Sequence, residues 1–343
     1  MGADVMRRAS LTIAIKGADV SMDLCPHLTS LTWTDKADDE LDDLQLVLED
    51  RDRLWQGDWL PSPGDVIHPV IVTHDWRAIG EKEELDCGEF EIDELELEAG
   101  TGGDVVTIKA IPAAVRSSLM MQRKTRAWSD FPLANVVADV VGPSGLDTLY
   151  KAPEIVFKRV EQRQESDLAF LQRITKDQGL RLAIKGRLCV VYAGQTADAL
   201  APLPFRRIDV PDLTSVRLRR SLAGVYTQCI VGYTSAMDSE TMEKSFLPEQ
   251  PPTTGKVLTI NKRVEHQAQA ERLAKAELRA KNCKELTGAL DGMGDIRLRA
   301  GTVLQLEGWG GFDSKYVVQQ ATHTVTKDGG YRTSADLVKA LDY

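Results

Sequence analysis

No cysteine pair, long apolar run or catalytic signature occurs in this 343-residue sequence, and those gaps bound what it can be. The five cysteines (Cys25, Cys87, Cys189, Cys229, Cys283) are scattered, odd in number and without a CxxC spacing. They read as reduced, partly buried thiols, not as a disulfide frame or a metal knuckle. Nothing approaches the roughly 18 apolar residues of a membrane helix. The start, Met1 to Ser10, has Arg7 and Arg8 but no apolar stretch behind them, so no signal peptide and no membrane insertion are expected. The chain is expected to stay in the cytoplasm where it is made.

Signatures of chemistry are missing too. There is no G-x-S-x-G, H-E-x-x-H, Walker loop or dinucleotide fingerprint. Five histidines are present, and His68 and His74 would sit on one strand face about 20 Å apart, too far to share a metal. The acid run through Asp38, Asp39, Glu40, Asp42 and Asp43 lacks the glycine and closing glutamate of a calcium loop and reads as a solvated loop. Gly308-Trp309-Gly310-Gly311 is a turn, with no lysine and no helix behind it. No catalytic, cofactor-binding or metal residue is assigned, and no cofactor is expected.

The net charge of −10 is uneven. Residues 1–110 hold 26 acids against 9 bases, whereas 111–205 and 206–343 are slightly basic. An acidic first third argues against a surface that grips nucleic acid there and suits one that DNA must pass without sticking. Acidic loops that keep β edges soluble are the plainer explanation.

Alternation and turns divide the chain in three. In 1–110, short apolar–polar segments recur with turn residues about every ten positions: Leu11–Ile15, Leu28–Trp33, Leu44–Leu48, Val66–Trp76, Phe90–Leu97 and Val105–Ile111. That spacing predicts a β-barrel or sandwich. In 111–205, Leu133, Val136, Val137, Val140 and Val141 line one helix face, with Asp130 placed to cap it and Gly142-Pro143 to stop it. A second helix follows, capped by Ser166 or Asp167, and a tight hairpin comes after it over Leu180–Tyr192. The last third, 206–343, returns to strands, broken by a charged helix near 262–281 with Glu271/Lys275 and Glu277/Lys281 at i,i+4 spacing. Segment 234–255, with three prolines and Gly255, reads as a mobile loop. The fold class expected is mainly β, with two β-barrel domains flanking a small α+β module.

Three segments carry a family resemblance. Gln162-Arg-Gln-Glu-Ser-Asp167-Leu-Ala-Phe-Leu171-Gln-Arg173, followed by Gly179, is the first. Leu46 to Trp59, with Glu49-Asp50-Arg51, Trp55, Pro61 and Gly64-Asp65, is the second. Tyr316 to Val325 with His323, then Gly329-Gly-Tyr331-Arg-Thr333, is the third. Together they resemble the phage late control protein D family, the tail hubs of contractile phages and related injection machines.

The resemblance implies a non-enzymatic, structural protein of the virion baseplate, assembled in the host cytoplasm. It implies a homotrimeric ring whose subunits each carry two tail-tube-like barrels. Such a ring adapts a six-fold tail tube to a three-fold membrane-puncturing spike. Its implied partners are the spike, the tube or its terminating ring and other baseplate proteins, with DNA or tape-measure protein passing through the lumen. The first barrel would be 1–110, the inserted module 111–205 and the second barrel 206–343. Glu81, Glu83, Glu84, Asp86, Glu89 and Glu91 are the candidate channel-facing acids. Trp55 and Trp59 are candidate interface anchors, with a core role equally open. A tail-associated peptidoglycan hydrolase or a cell-wall-binding protein is the rival reading, since tail tips carry such activities and the 111–192 unit has the size of a LysM-like module.

Overall fold

The computed structural model describes residues 7–343 except 39, 116–118, 208–211, 235–240 and 265, and no side chain at 196, 197, 233, 234, 241 or 242. The fold is mainly β, with a few helices. Its backbone is a run of eight antiparallel strands drawn from both ends of the chain. In order across the sheet they are Leu213–Arg220, Leu286–Met293, Gly330–Lys339, Ser314–Thr326, Leu28–Lys36, Asp43–Glu49, Gly103–Pro112 and Phe90–Gly100. The centre of this run is the pairing of Leu28–Lys36 with Ser314–Thr326, in which Trp33 lies opposite His323. The first and last thirds therefore share one sheet.

Period-2 patterning sets the faces. Leu44, Leu46 and Leu48 point into one core, and Gln45 and Val47 point away. In Phe90–Gly100 the apolar spacing slips from two to three between Ile92 and Leu95. A bulge between Ile92 and Glu94 absorbs the slip, so Leu95 and Leu97 return to the core side opposite Ile108 and Val106. Beyond Phe90–Gly100 the strands Val66–His74, Lys82–Asp86 and Arg8–Ile15 continue the sheet around the first core. At the other end Leu203–Arg206 and Val303–Glu307 cover a second core around Tyr316, Leu304 and Leu337.

The middle module has its own core. A two-stranded ribbon, Arg123–Pro132 with Val156–Ser166, carries helices Leu133–Val141 and Asp167–Asp177 beside a three-stranded sheet. The five residues predicted for the first helix face are all buried. Asp130 does not cap that helix. Its N-cap is Pro132, and Asp130 stays in the ribbon strand with φ 51°. The helix does stop at Gly142-Pro143: it ends at Val141 with Gly142 as its C-cap, a 3-10 turn, Gly142–Ser144, follows, and the reversal falls on Gly145 at φ 70°.

A further unit is inserted between two neighbouring strands of the long sheet. Strands Tyr226–Thr234, Thr241–Phe246 and Lys256–Asn261 pack on helix Gln267–Asn282 around Cys229, Val231, Leu273 and Leu278. The charged helix thus begins five residues later than expected, where His266 accepts the Gln269 N–H at 3.1 Å. The segment expected to be a loop holds the strand Thr241–Phe246, because Phe246 finds an apolar seat beside Tyr343. Its residues 235–240 lie outside the described residues.

Candidate assembly sites

Each family-patterned segment turns out to fasten two parts of the fold. In the first, Ser166 is the helix N-cap, accepting the Ala169 N–H at 3.3 Å. Asp167 has another task. It is buried and receives Lys124 at 2.6 Å, the Arg126 guanidinium and the Gln162 side-chain amide at 2.8 Å. The Gln162 oxygen accepts from Arg126 at 2.9 Å, so the carboxylate and amide bracket one guanidinium. Arg173 reaches back to Glu165 and to the Glu161 carbonyl. Glutamine, glutamate, aspartate and arginine in this spacing bolt the helix Asp167–Asp177 to the ribbon.

In the second segment, Asp50 accepts the Trp55 N–H at 3.0 Å and closes the turn after strand Asp43–Glu49. Arg51 pairs with Glu49 at 2.5 Å and Arg53 lies 3.7 Å from Asp104, so the arginines serve the strand and its neighbour, not the adjacent aspartates.

The third segment builds a buried aromatic stack across the seam of the long sheet. His323 lies between Trp33 and Tyr331, with ring centroids 5.2 and 5.9 Å away and planes tilted 26° and 25°. Its Nε2 is 2.9 Å from the Leu298 carbonyl, and its Nδ1 is 2.7 Å from the Tyr331 hydroxyl. The carbonyl can only accept, so Nε2 carries the proton and Nδ1 accepts from Tyr331. Burial pushes the imidazole pKa down to about 4 and holds it neutral. The Arg299 guanidinium lies over the Trp33 ring at 5.6 Å.

A fourth fastening had no visible pattern in the sequence. Lys185, at the tip of the middle module's hairpin, donates to Asp35 at 2.5 Å, Asp42 at 2.6 Å and the Lys36 carbonyl at 2.5 Å. Asp35 also accepts the Ala300 N–H at 3.0 Å, so three parts of the chain meet there. Arg181 and Tyr192 both bind Asp38. Asp42 is buried, and burial raises its pKa above the usual carboxylate value even with Lys185 beside it. Within the acid run expected to be a solvated loop, Asp38 and Asp42 thus dock the middle module, whereas Glu40 is exposed, Asp43 pairs with Lys36, and Asp39 lies outside the described residues. The signal of this docking was charge on two distant segments, which sequence spacing cannot join.

A model of the family described as phage tail baseplate hub (GPD) matches residues 112–329. The chain belongs to the phage tail baseplate hub family. The probable baseplate hub protein of Escherichia phage 186 is 26% identical over 247 residues, covering 70% of this chain and 60% of that protein. The probable baseplate hub protein of Escherichia phage P2 is 30% identical over 192 residues, covering 54% and 46%. The chain thus spans only about half to three-fifths of the length of these two relatives. The 43 kDa tail protein of prophage MuSo2 from Shewanella oneidensis has a TM-score of 0.70 over 97% of this chain and 98% of its own, at 13% identity, which is a likeness of fold. The baseplate hub match contains the Gln162–Arg173 bolt, Lys185 and His323, and leaves out Trp33, Leu46–Trp59 and Tyr331.

Within the hub fold, the six candidate acids are not one cluster. Glu81 and Glu83 both bind Arg77 beside the turn before strand Lys82–Asp86. Glu84 pairs with Lys82 at 2.6 Å, and Asp86 with His68 at 2.7 Å. Glu89 is exposed in the connection that follows. Glu91 lies opposite Val66 and Ile111, on the side of the sheet away from the core. Glu84 and Asp86 lie opposite Val72 and Val70.

The two tryptophans separate in the same way. Trp55 is 4% exposed and part of the first core. Trp59 is 39% exposed and meets the Trp55 ring edge-on at 5.6 Å.

The long sheet's other face is polar across both ends of the chain. Arg332, Thr324, Thr32, Gln45 and Lys109 stand in one row, and Ser334, Thr322, Thr34 and Asp43 in the next. Several of its charges pair on the face itself: Lys36 with Asp43 at 2.9 Å, Arg332 with Asp291 at 3.2 Å, and Lys109 with Glu94 at 3.1 Å. Among the described residues, no group of histidine, cysteine and acidic side chains could hold a metal ion, and no helix is long and apolar enough to cross a membrane.

Proposed function

We propose that this hub subunit is passive, non-enzymatic architecture, closing with two copies of itself into a hollow ring between a six-fold tail tube and a three-fold spike. The observation that carries this reading is the eight-stranded sheet shared by both ends of the chain, with one continuous polar face. A lumen wall must let nucleic acid or an extended protein pass. A face rich in hydroxyls, with ion pairs over its middle and the exposed Arg217 and Arg219 confined to its end strand, offers no apolar patch and little phosphate-gripping field. In this reading each end of the sheet is one tube-like barrel. Residues 111–205 pack outside the wall, held by Lys185 and Arg181. Glu84, Asp86 and Glu91, which point away from the core, are the acids proposed to face the channel, where their charge repels phosphate.

Light scattering on a size-exclusion column tests the ring. The expected mass is three times the 37.9 kDa of one chain. A single-chain mass at micromolar concentration, alone and in the presence of the spike and tube proteins, overturns the reading. A cell-wall zymogram is expected to show no clearing, and clearing would favour the hydrolase reading instead.

A further inference from the structure

Several cations drawn partly out of water in this fold are matched by carboxylates. Lys124 and Arg126 share Asp167, Lys185 holds Asp35 and Asp42, and Arg279 binds Asp198. Two half-buried cations about one turn apart on the helix Gln267–Asn282 break that pattern. Arg272 donates to the Gln178 backbone and side-chain oxygens, at 3.4 and 2.8 Å, and meets no carboxylate among the described residues. Lys275 and Glu271 have the i,i+4 spacing of an ion pair but do not form one. Glu271 is exposed, with Lys244 3.8 Å away, and Lys275 lies over the Phe246 ring at 5.6 Å. Burial lowers the pKa of both cations, and Arg279 repels Lys275 as well. Two positive charges thus sit partly out of water with no carboxylate bonded to either, which costs the subunit stability.

Both line a cavity of about 330 Å³ between the middle module and the inserted unit, and none of its lining residues belongs to the long sheet. One wall is the turn Gly179–Arg181, and the other is the helix. The walls are fixed against each other at Gly179, which has φ 72°, and a Cβ there would lie 2.8 Å from the Arg272 carbonyl oxygen. The cavity is therefore preformed. Two further cations on its wall, Arg181 and Arg279, are already engaged by Asp38 and Asp198, and Glu271 on the rim is the one acid of the lining. Leu180, Ala193 and Ala276 make part of the surface aliphatic, and no aromatic ring lines it for a nucleotide base to stack on. A guanidinium with N–H groups left to donate, an ammonium beside it and an aliphatic wall together suit a carboxylate carried on a short methylene stem. We propose that this pocket receives an acidic side chain from a glutamate-rich, partly aliphatic segment of a partner protein, and that the segment bridges the middle module and the inserted unit. The proposal does not depend on the ring or on what passes through it.

The test is fluorescence anisotropy at low salt on the full chain, with a dye-labelled, end-blocked peptide of alternating glutamate and leucine as the probe. Saturable binding is expected, weakened at least about tenfold when glutamine replaces glutamate in the peptide, and lost in high salt. Arg272→Gln with Lys275→Met is expected to weaken binding at least about tenfold as well, while the melting temperature stays level or rises, because a half-buried charge has gone. Arg217→Gln with Arg219→Gln, far from the pocket, is expected to leave binding unchanged. If the double variant at the pocket fails to fold, Lys275→Met alone reads the same site. Equal binding of the glutamate and glutamine peptides, or undiminished binding by the pocket variant, overturns the proposal. A pocket variant with a lowered melting temperature and unaltered binding makes the two cations part of the fold only. Inorganic phosphate that displaces the peptide at concentrations as low as the peptide's own also overturns it, since the pocket would then be a site for free anions.

Discussion

The first third of the chain is fastened to the rest of the molecule twice, by opposite physical means. Toward the last third it shares a sheet, and the seam is closed by the Trp33–His323–Tyr331 stack, whose histidine is neutral and satisfied at both nitrogens. Toward the middle module it offers Asp35, Asp38 and Asp42 to Lys185, Arg181 and Tyr192. The seam is held by burial and a ladder. The latch is ionic, and its strength depends on every partner being present, because an unpaired charge left out of water is costly.

The sharpest way to break the contrast is to remove the latch's cation. Lys185→Ala strands Asp35 and Asp42, which are 1% and 6% exposed, and is expected to cost about 3–5 kcal/mol in denaturant unfolding. Replacing the three together, Lys185→Met with Asp35→Asn and Asp42→Asn, removes the charges as a set and is expected to be near neutral. If the triple variant is as unstable as the single one, the latch is held by shape and not by charge.

The seam has a different signature, a dependence on acid. His323 titrates near 4 in the folded chain against 6.5 for an unperturbed imidazole. Between those values the unfolded chain binds a proton that the folded chain refuses, so stability is full above pH 6.5 and falls as the pH drops toward 4. The loss is up to about 3 kcal/mol. His323→Phe keeps the stack but has nothing to titrate, so its stability is expected to lack this component of the pH profile. Parallel profiles for the two proteins would remove the histidine from the account.

A smaller effect sharpens the same point. Tyr331→Phe leaves the rings stacked and removes the hydroxyl that donates to Nδ1, with Thr333 3.2 Å away to take its place in part. The expected cost is about 1 kcal/mol by thermal or denaturant melt.

How much of this could be read beforehand follows from the range of each signal. Alternation is local, so Asp43–Glu49 and the helix face Leu133 to Val141 were legible. The ribbon strand Arg123–Pro132 was not, because it buries only Trp128 and shows little apolar period. Pairing of Leu28–Lys36 with Ser314–Thr326 spans nearly the whole chain and leaves no trace in either segment alone. The strands of the inserted 226–282 unit looked like more of the barrel, since a strand's pattern does not say which sheet it joins. Among functional residues, Asp167 read as a cap because serine and aspartate at a helix start do cap, and its burial under Arg126 is a tertiary fact. Lys185 in a Lys-Gly-Arg turn and Asp42 in an acid run each look solvated until the fold brings them together.

The least disruptive change concerns the aromatic that belongs to neither fastening. Trp55 is filled into the first core, so Trp55→Ala is expected to cost about 3–5 kcal/mol and reports only on packing. Trp59 leans edge-on against it with much of its surface open, beside Leu60, which is also exposed. Trp59→Ala should therefore move the unfolding free energy of an isolated subunit by no more than about 0.5 kcal/mol. Its informative readout is assembly. A weakened ring, or weakened capture of the spike, with an unchanged melt makes Trp59 an anchor, whereas unchanged assembly assigns the ring to shielding Trp55 from water.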